Sequence, residues 1–172
     1  MKKLELEDEL ERTYERFVML VESIPESDYA LPTDTPGWKV GDLLFHITLG
    51  PRALALEIWM ILHARGLFQF GMQHFPSRMF NRVNALFGRQ GKRVSRQGLL
   101  MAYGNAHAVI RSRLRRTREE DLTRSVVYPA EFVADLAGEV TVERLFRYVK
   151  GHFEAHAGQL GRASENHPRN NI

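Results

Sequence analysis

The sequence contains no cysteine. That excludes disulfides, Cys-ligated zinc, iron–sulfur clusters and a protein thiol nucleophile in one step. Any metal must be held by histidine and carboxylate, and any thiol chemistry must draw on a small-molecule thiol. Long apolar runs are also lacking. None approaches the ~18–20 residues of a membrane span, and residues 1–9 read as acidic helix rather than as a secretory signal. The chain is therefore expected in the cytoplasm, with no membrane partner. No internal repeat, low-complexity tract or second domain interrupts it.

What is present is the composition of an ordinary globular protein, with 44% apolar and 26% charged residues in a chain of 172. That length fits one domain with a full core, expected over 1–162 and followed by a polar tail at 163–172. The net charge is only +3 although the pI is about 9.4. Much of the local excess lies in Arg111–Arg118. Such a cluster can mark a nucleic-acid footprint. It equally suits a helix C-terminus, where cations are favoured, and Glu119, Glu120 and Asp121 follow at once. No aromatic residues interleave with it as single-strand binding requires, so nucleic acid ranks low among the partners.

Apolar spacing of three and four residues predicts four long helices. The first runs from about Glu5 to Ile24 and carries Leu6, Leu10, Phe17 and Val21 inward. After a loop dense in turn formers up to Gly37, a second spans about Val40 to Ala64, with Pro51 expected to kink or interrupt it. Residues 65–94 read as a long crossover rich in Phe, with a short helix over 77–87. A third helix covers about Ser95 to Arg118, with Ser95 as N-cap. Residues 121–135 read as extended or loop. The fourth helix starts near Thr141 and ends near Arg162. The expected fold is all-α, a four-helix bundle with long crossover connections. The Phe-rich crossover and the long first helix also suit a homodimer.

The most informative stretch is Gly151 to Leu160. His152 and His156 stand four residues apart, so a helix puts both imidazoles on one face, and Leu145, Val149 and Leu160 run through that face. Two imidazoles so placed hold a transition metal if a third ligand arrives; otherwise they are two satisfied core histidines. His46, three residues after Leu43, lies on or beside the apolar face of the second helix. Bundle cores build metal sites from facing helices, so His46, His152 and His156 form a candidate set with a fourth position open to solvent or substrate. His107 is a possible further ligand or a core group. His63, His74 and His167 lack spacing partners and read as surface residues.

Trp38-Lys-Val-Gly-Asp-Leu-Leu-Phe-His46 followed by His152-Phe-Glu-Ala-His156-Ala-Gly-Gln159 resembles the paired signatures of the DinB-like superfamily. Its relatives include mycothiol-dependent maleylpyruvate isomerases and bacillithiol S-transferases. The resemblance covers nearly the whole chain. It implies one divalent metal, zinc or nickel foremost, on His46, His152 and His156, acting with a low-molecular-weight thiol on a small-molecule substrate. The implied activity is S-transfer or isomerisation. The alternatives are a metal-dependent hydrolase and a non-enzymatic ligand- or metal-binding bundle. Lys39 replaces the small capping residue frequent in relatives, which weakens that cap. Asp42 and Glu57 are candidates for orienting a ligand or acting as general base, and Gln159 for bordering the pocket.

Overall fold

The computed structural model describes residues 2–74 and 94–166. Five α-helices and one hairpin appear among them: α1 (Lys2–Ser23), α2 (Val40–His63), α3 (Arg65–His74), α4 (Arg96–Arg116), β1 (Ser125–Tyr128), β2 (Gly138–Thr141) and α5 (Val142–Asn166). Helices α1, α2, α4 and α5 form the bundle. Each of α1 and α2 packs on both α4 and α5, so the first two helices lie on a diagonal. This is why the connections are long.

Ion pairs reveal the directions. Lys2–Glu143, Glu9–Arg147 and Arg16–Glu154 advance together along α1 and α5, which therefore run parallel. Arg111 bonds Glu7 and Glu11, and the Leu10 carbonyl meets His107, placing α4 antiparallel to α1. Each such exposed pair contributes no more than about 1 kcal/mol. The basic cluster is thus largely engaged within the chain, since Arg115 also reaches Glu7 and Arg118 reaches Glu120 and Asp121.

The core falls into two clusters along the bundle. Leu10, Ile58, Ile110 and Phe146 centre one, and Phe17, Leu44, Leu99 and Tyr103 centre the other. Helix α2 is long and apolar enough in composition to cross a membrane, but just over half of that stretch is buried within the bundle.

Local chemistry explains most boundaries. Ser95 Oγ accepts from the Gly98 N–H at 3.1 Å, so the expected cap forms, and Thr141 Oγ1 accepts from the Arg144 N–H at 3.1 Å at the start of α5. Helix α2 lacks a capping side chain at Lys39, and Asp42 reaches back to take the Lys39 N–H at 3.1 Å. Pro51 does not interrupt α2, which continues to His63. Gly50 precedes it, and without a Cβ it avoids the steric clash that a proline ring imposes on its neighbour.

One feature differs from expectation: residues 65–74 of the crossover are helical. The stretch expected as extended or loop supplies β1, which pairs antiparallel with β2, Ser125 opposite Thr141 and Tyr128 opposite Gly138. The Gln69 side chain joins these parts, donating to the Val127 carbonyl at 3.0 Å and accepting its N–H at 2.8 Å. It thereby fixes α3 against the outer edge of β1. The expected helix over 77–87 lies outside the described residues.

Candidate metal centre

His46 comes from the first half of α2, and His152 and His156 from two successive turns of α5. Their ring nitrogens gather so that one from each lies within 4.8 Å of the others. His46 Nε2 and His152 Nε2 are 3.3 Å apart. His156 Nδ1 bonds Gln159 Oε1 at 3.0 Å. Because an amide oxygen only accepts, that bond places a proton on Nδ1, and in the neutral ring Nε2 then carries the lone pair. The spacing His-x-x-x-His-x-x-Gln therefore carries two rings of the cluster and the group that orients one of them.

The two other rings are held by shape. Trp38 sets its ring edge-on to His46 with centroids 5.4 Å apart. Trp38 is presented by a tight turn, in which its carbonyl accepts from the Thr33 N–H at 2.9 Å and Gly37 adopts φ +78, a left-handed conformation suited to glycine. His152 lies over Gly50: a Cβ built there meets Nδ1 at 2.7 Å and Cε1 at 2.9 Å. Glycine at this position is what lets the α5 ring approach the α2 backbone.

Burial, with the neighbouring His156 second, lowers the His46 pKa to about 4. Burial, then His156 and His46, lowers that of His152 to about 3. Both rings are neutral at pH 7, as metal ligation requires. Two nitrogens bound at about 2.0–2.1 Å to one tetrahedral ion stand about 3.3 Å apart, which matches the His46–His152 separation. Three imidazoles with converging nitrogens thus fit a divalent ion. His46 Nδ1 is buried with no partner among the described residues, so the ring packing of Trp38 does the orienting there.

The site opens into a cavity of about 280 Å³. Helix α2 lines it with His46, Leu49, Gly50, Ala53, Leu54 and Glu57, and α5 with Tyr148, His152 and His156. Met72 from α3 and Phe132, Val133 and Leu136 from the hairpin connection close it. Glu57 accepts a hydrogen bond from the Tyr128 hydroxyl at 2.5 Å. Burial raises its carboxyl above the usual carboxylate range, with the Tyr128 bond opposing.

Of the residues singled out from sequence, the structure brings His46, His152 and His156 together and joins Gln159 to His156. It places Glu57 in the same cavity but three helical turns from His46. Asp42 is buried at the start of α2 and accepts the Lys39 N–H, and it is not among the cavity-lining residues. His107 is a core group stacked on Tyr14, with Nε2 3.1 Å from the Leu10 carbonyl oxygen. His63 and His74 are exposed, and His167 lies outside the described residues. Gly50, Tyr128 and Tyr148 were not singled out. The one available signal was Gly50-Pro51 inside an apolar helical pattern, a turn after His46.

Comparison with known proteins defines the class: a histidine-bearing four-helix bundle whose model, the DinB superfamily, matches residues 9–160. The chain belongs to the DinB superfamily. Among solved structures it is similar to the mycothiol-dependent maleylpyruvate isomerase, with TM-score 0.67, 12% identity, and 92% of this chain aligned to 60% of that one. A histidine-to-alanine variant of that isomerase gives TM-score 0.68 at 12% identity. YfiT from Bacillus subtilis, described as a probable metal-dependent hydrolase with an unusual four-helix bundle topology, gives TM-score 0.66 at 17% identity over 95% of this chain and 86% of that one. No curated protein matches the sequence. The chain spans about 60% of the isomerase's length, and the likenesses establish the fold.

Proposed function

We propose that this protein is a metal-dependent enzyme acting on a small molecule, with His46, His152 and His156 as ligands to one divalent ion, zinc or nickel. The observation that carries the reading is the 3.3 Å approach of His46 Nε2 to His152 Nε2 at the end of an apolar cavity. Held by His46, His152 and His156, a divalent ion would supply the charge that makes a bound thiol or water give up its proton near neutral pH. Neutral protein ligands would leave that charge undiminished.

The chain's own groups do the rest. Gln159 fixes the His156 tautomer, Gly50 and Trp38 set the other rings, and the apolar walls exclude water. Glu57 is assigned to binding rather than proton transfer. Its backbone lies eleven residues, about 16 Å of helix axis, from that of His46, beyond the reach of a glutamate side chain. With no cysteine in the sequence, a thiol nucleophile comes from a low-molecular-weight thiol, and the leading activity is thiol-dependent S-transfer or isomerisation. The second reading, hydrolysis, is favoured by the likeness to a probable metal-dependent hydrolase over most of both chains.

The test loads tag-free protein with zinc or nickel and assays electrophilic substrates with and without mycothiol, bacillithiol or glutathione. Turnover that needs both metal and thiol supports transfer, and turnover with water alone supports hydrolysis. Equal rates with the His152→Ala variant contradict both.

A further inference from the structure

The cavity has a direction. Its α2 wall is made of residues at positions i, i+3, i+4, i+7, i+8 and i+11 from His46, a single helix face about 16 Å long between the backbones of His46 and Glu57. Helix α5 lines it at i, i+4 and i+8 from Tyr148. The histidines stand at one end. At the other stand Glu57 and the Tyr128 hydroxyl bonded to it. Between them the walls are mainly apolar, from Leu49, Ala53, Leu54 and Leu136.

The Glu57 end is electrostatically incomplete. A carboxylate withdrawn from water is costly unless paired with a cation or amply hydrogen-bonded. Among the described residues Glu57 has the bond from Tyr128, and no lysine or arginine lines the cavity or forms a salt bridge with it. Burial accordingly favours its neutral form. A cationic group delivered by a ligand supplies the missing partner, whereas an anionic group meets a like charge or an apolar wall.

We infer that the cavity takes an elongated, mainly apolar molecule with a metal-binding group at the histidine end and a protonated amine at the Glu57–Tyr128 end. This rests on the metal-site reading above and adds the substrate class to it. The amine binds the Glu57 carboxylate, the apolar middle packs between α2 and α5, and the metal-binding group approaches His46, His152 and His156.

The test uses alkyl hydroxamates of graded chain length ending in an amine, a methyl or a carboxylate, titrated calorimetrically into zinc-loaded protein. At one optimal length the amine should bind at least tenfold tighter than the methyl compound, with the carboxylate weakest. Glu57→Gln should erase the amine's advantage and keep the methyl compound's affinity, which also shows that the variant folds. Glu57→Asp should keep the advantage but move the optimum to a longer chain, an effect a purely structural role for Glu57 does not produce. An amine no better than methyl at every length, or an advantage that survives Glu57→Gln, overturns the amine subsite. Hydroxamate binding itself would then leave the metal site standing. Failure of zinc to bind overturns both.

Discussion

Replacing Gly50 by alanine puts the steric argument for the site to work. The new Cβ would stand 2.7 Å from His152 Nδ1 and 2.9 Å from Cε1. Ordinary contacts of this kind are about 3.5–4.0 Å, so the ring must retreat by close to 1 Å or the helices must part. A displacement of that size takes His152 Nε2 out of the 3.3 Å approach to His46 Nε2. Sites need about 0.5 Å precision, so metal affinity should fall on the order of tenfold to a hundredfold. The effect on folding is smaller, because two costs oppose one gain. Overpacking costs about 1–3 kcal/mol, and a Cβ before Pro51 adds its own clash. Alanine in place of a helical glycine recovers about 1 kcal/mol. The net destabilisation is thus on the order of 1–2 kcal/mol. Gly66→Ala is the control, since a Cβ there meets nothing within 4 Å. Calorimetric zinc titration with parallel urea unfolding separates the two effects. Wild-type affinity in Gly50→Ala would refute the packing of His152 on α2.

Other substitutions probe the remaining parts. Gln159→Ala removes the acceptor on His156 Nδ1 and should weaken zinc about tenfold with little loss of stability, while Gln159→Glu should restore affinity, as metal titration will show. Tyr128→Phe leaves the half-buried Glu57 carboxyl without its bond and should cost about 1–2 kcal/mol in denaturant unfolding, and no change would mean the pair is immaterial. Native Glu57 keeps its proton to higher pH than the unfolded chain, whose carboxyl titrates near 4.5. Wild type should therefore lose stability relative to Glu57→Gln as pH rises from there through the native pKa, with a flat difference below. A pH-independent difference contradicts the burial argument. Ile58, with no exposed surface, should cost about 2–5 kcal/mol on truncation to alanine, read from the urea midpoint.

The histidine cluster was legible because a helix converts sequence spacing directly into direction: His152 and His156 share a face by their separation alone, and Leu43 marks the inward side for His46. Long apolar periodicities likewise gave the four bundle helices. What was hidden depends on partners remote in sequence. Gly50 reads as a poor helix residue until the α5 ring is placed over it. Tyr128 gains its meaning only when the hairpin carries its hydroxyl to Glu57, and that hairpin uses strands of four residues, too short for an alternation signal. Helix α3 was masked by Gly66 and Gly71, and what holds it is the pairing of Gln69 with Val127. Asp42 looked available for the site because of its one-turn distance from His46, but the uncapped start of α2 engages it instead.

If one divalent ion sits between α2 and α5 on three imidazoles, X-ray absorption of zinc-loaded, tag-free protein will reveal it, with His152→Ala measured alongside. The spectrum should show one zinc per chain with three imidazole nitrogens at about 2.0–2.1 Å, and the variant should lose stoichiometric zinc. Stoichiometric zinc retained by His152→Ala with an unchanged spectrum would contradict the three-imidazole site.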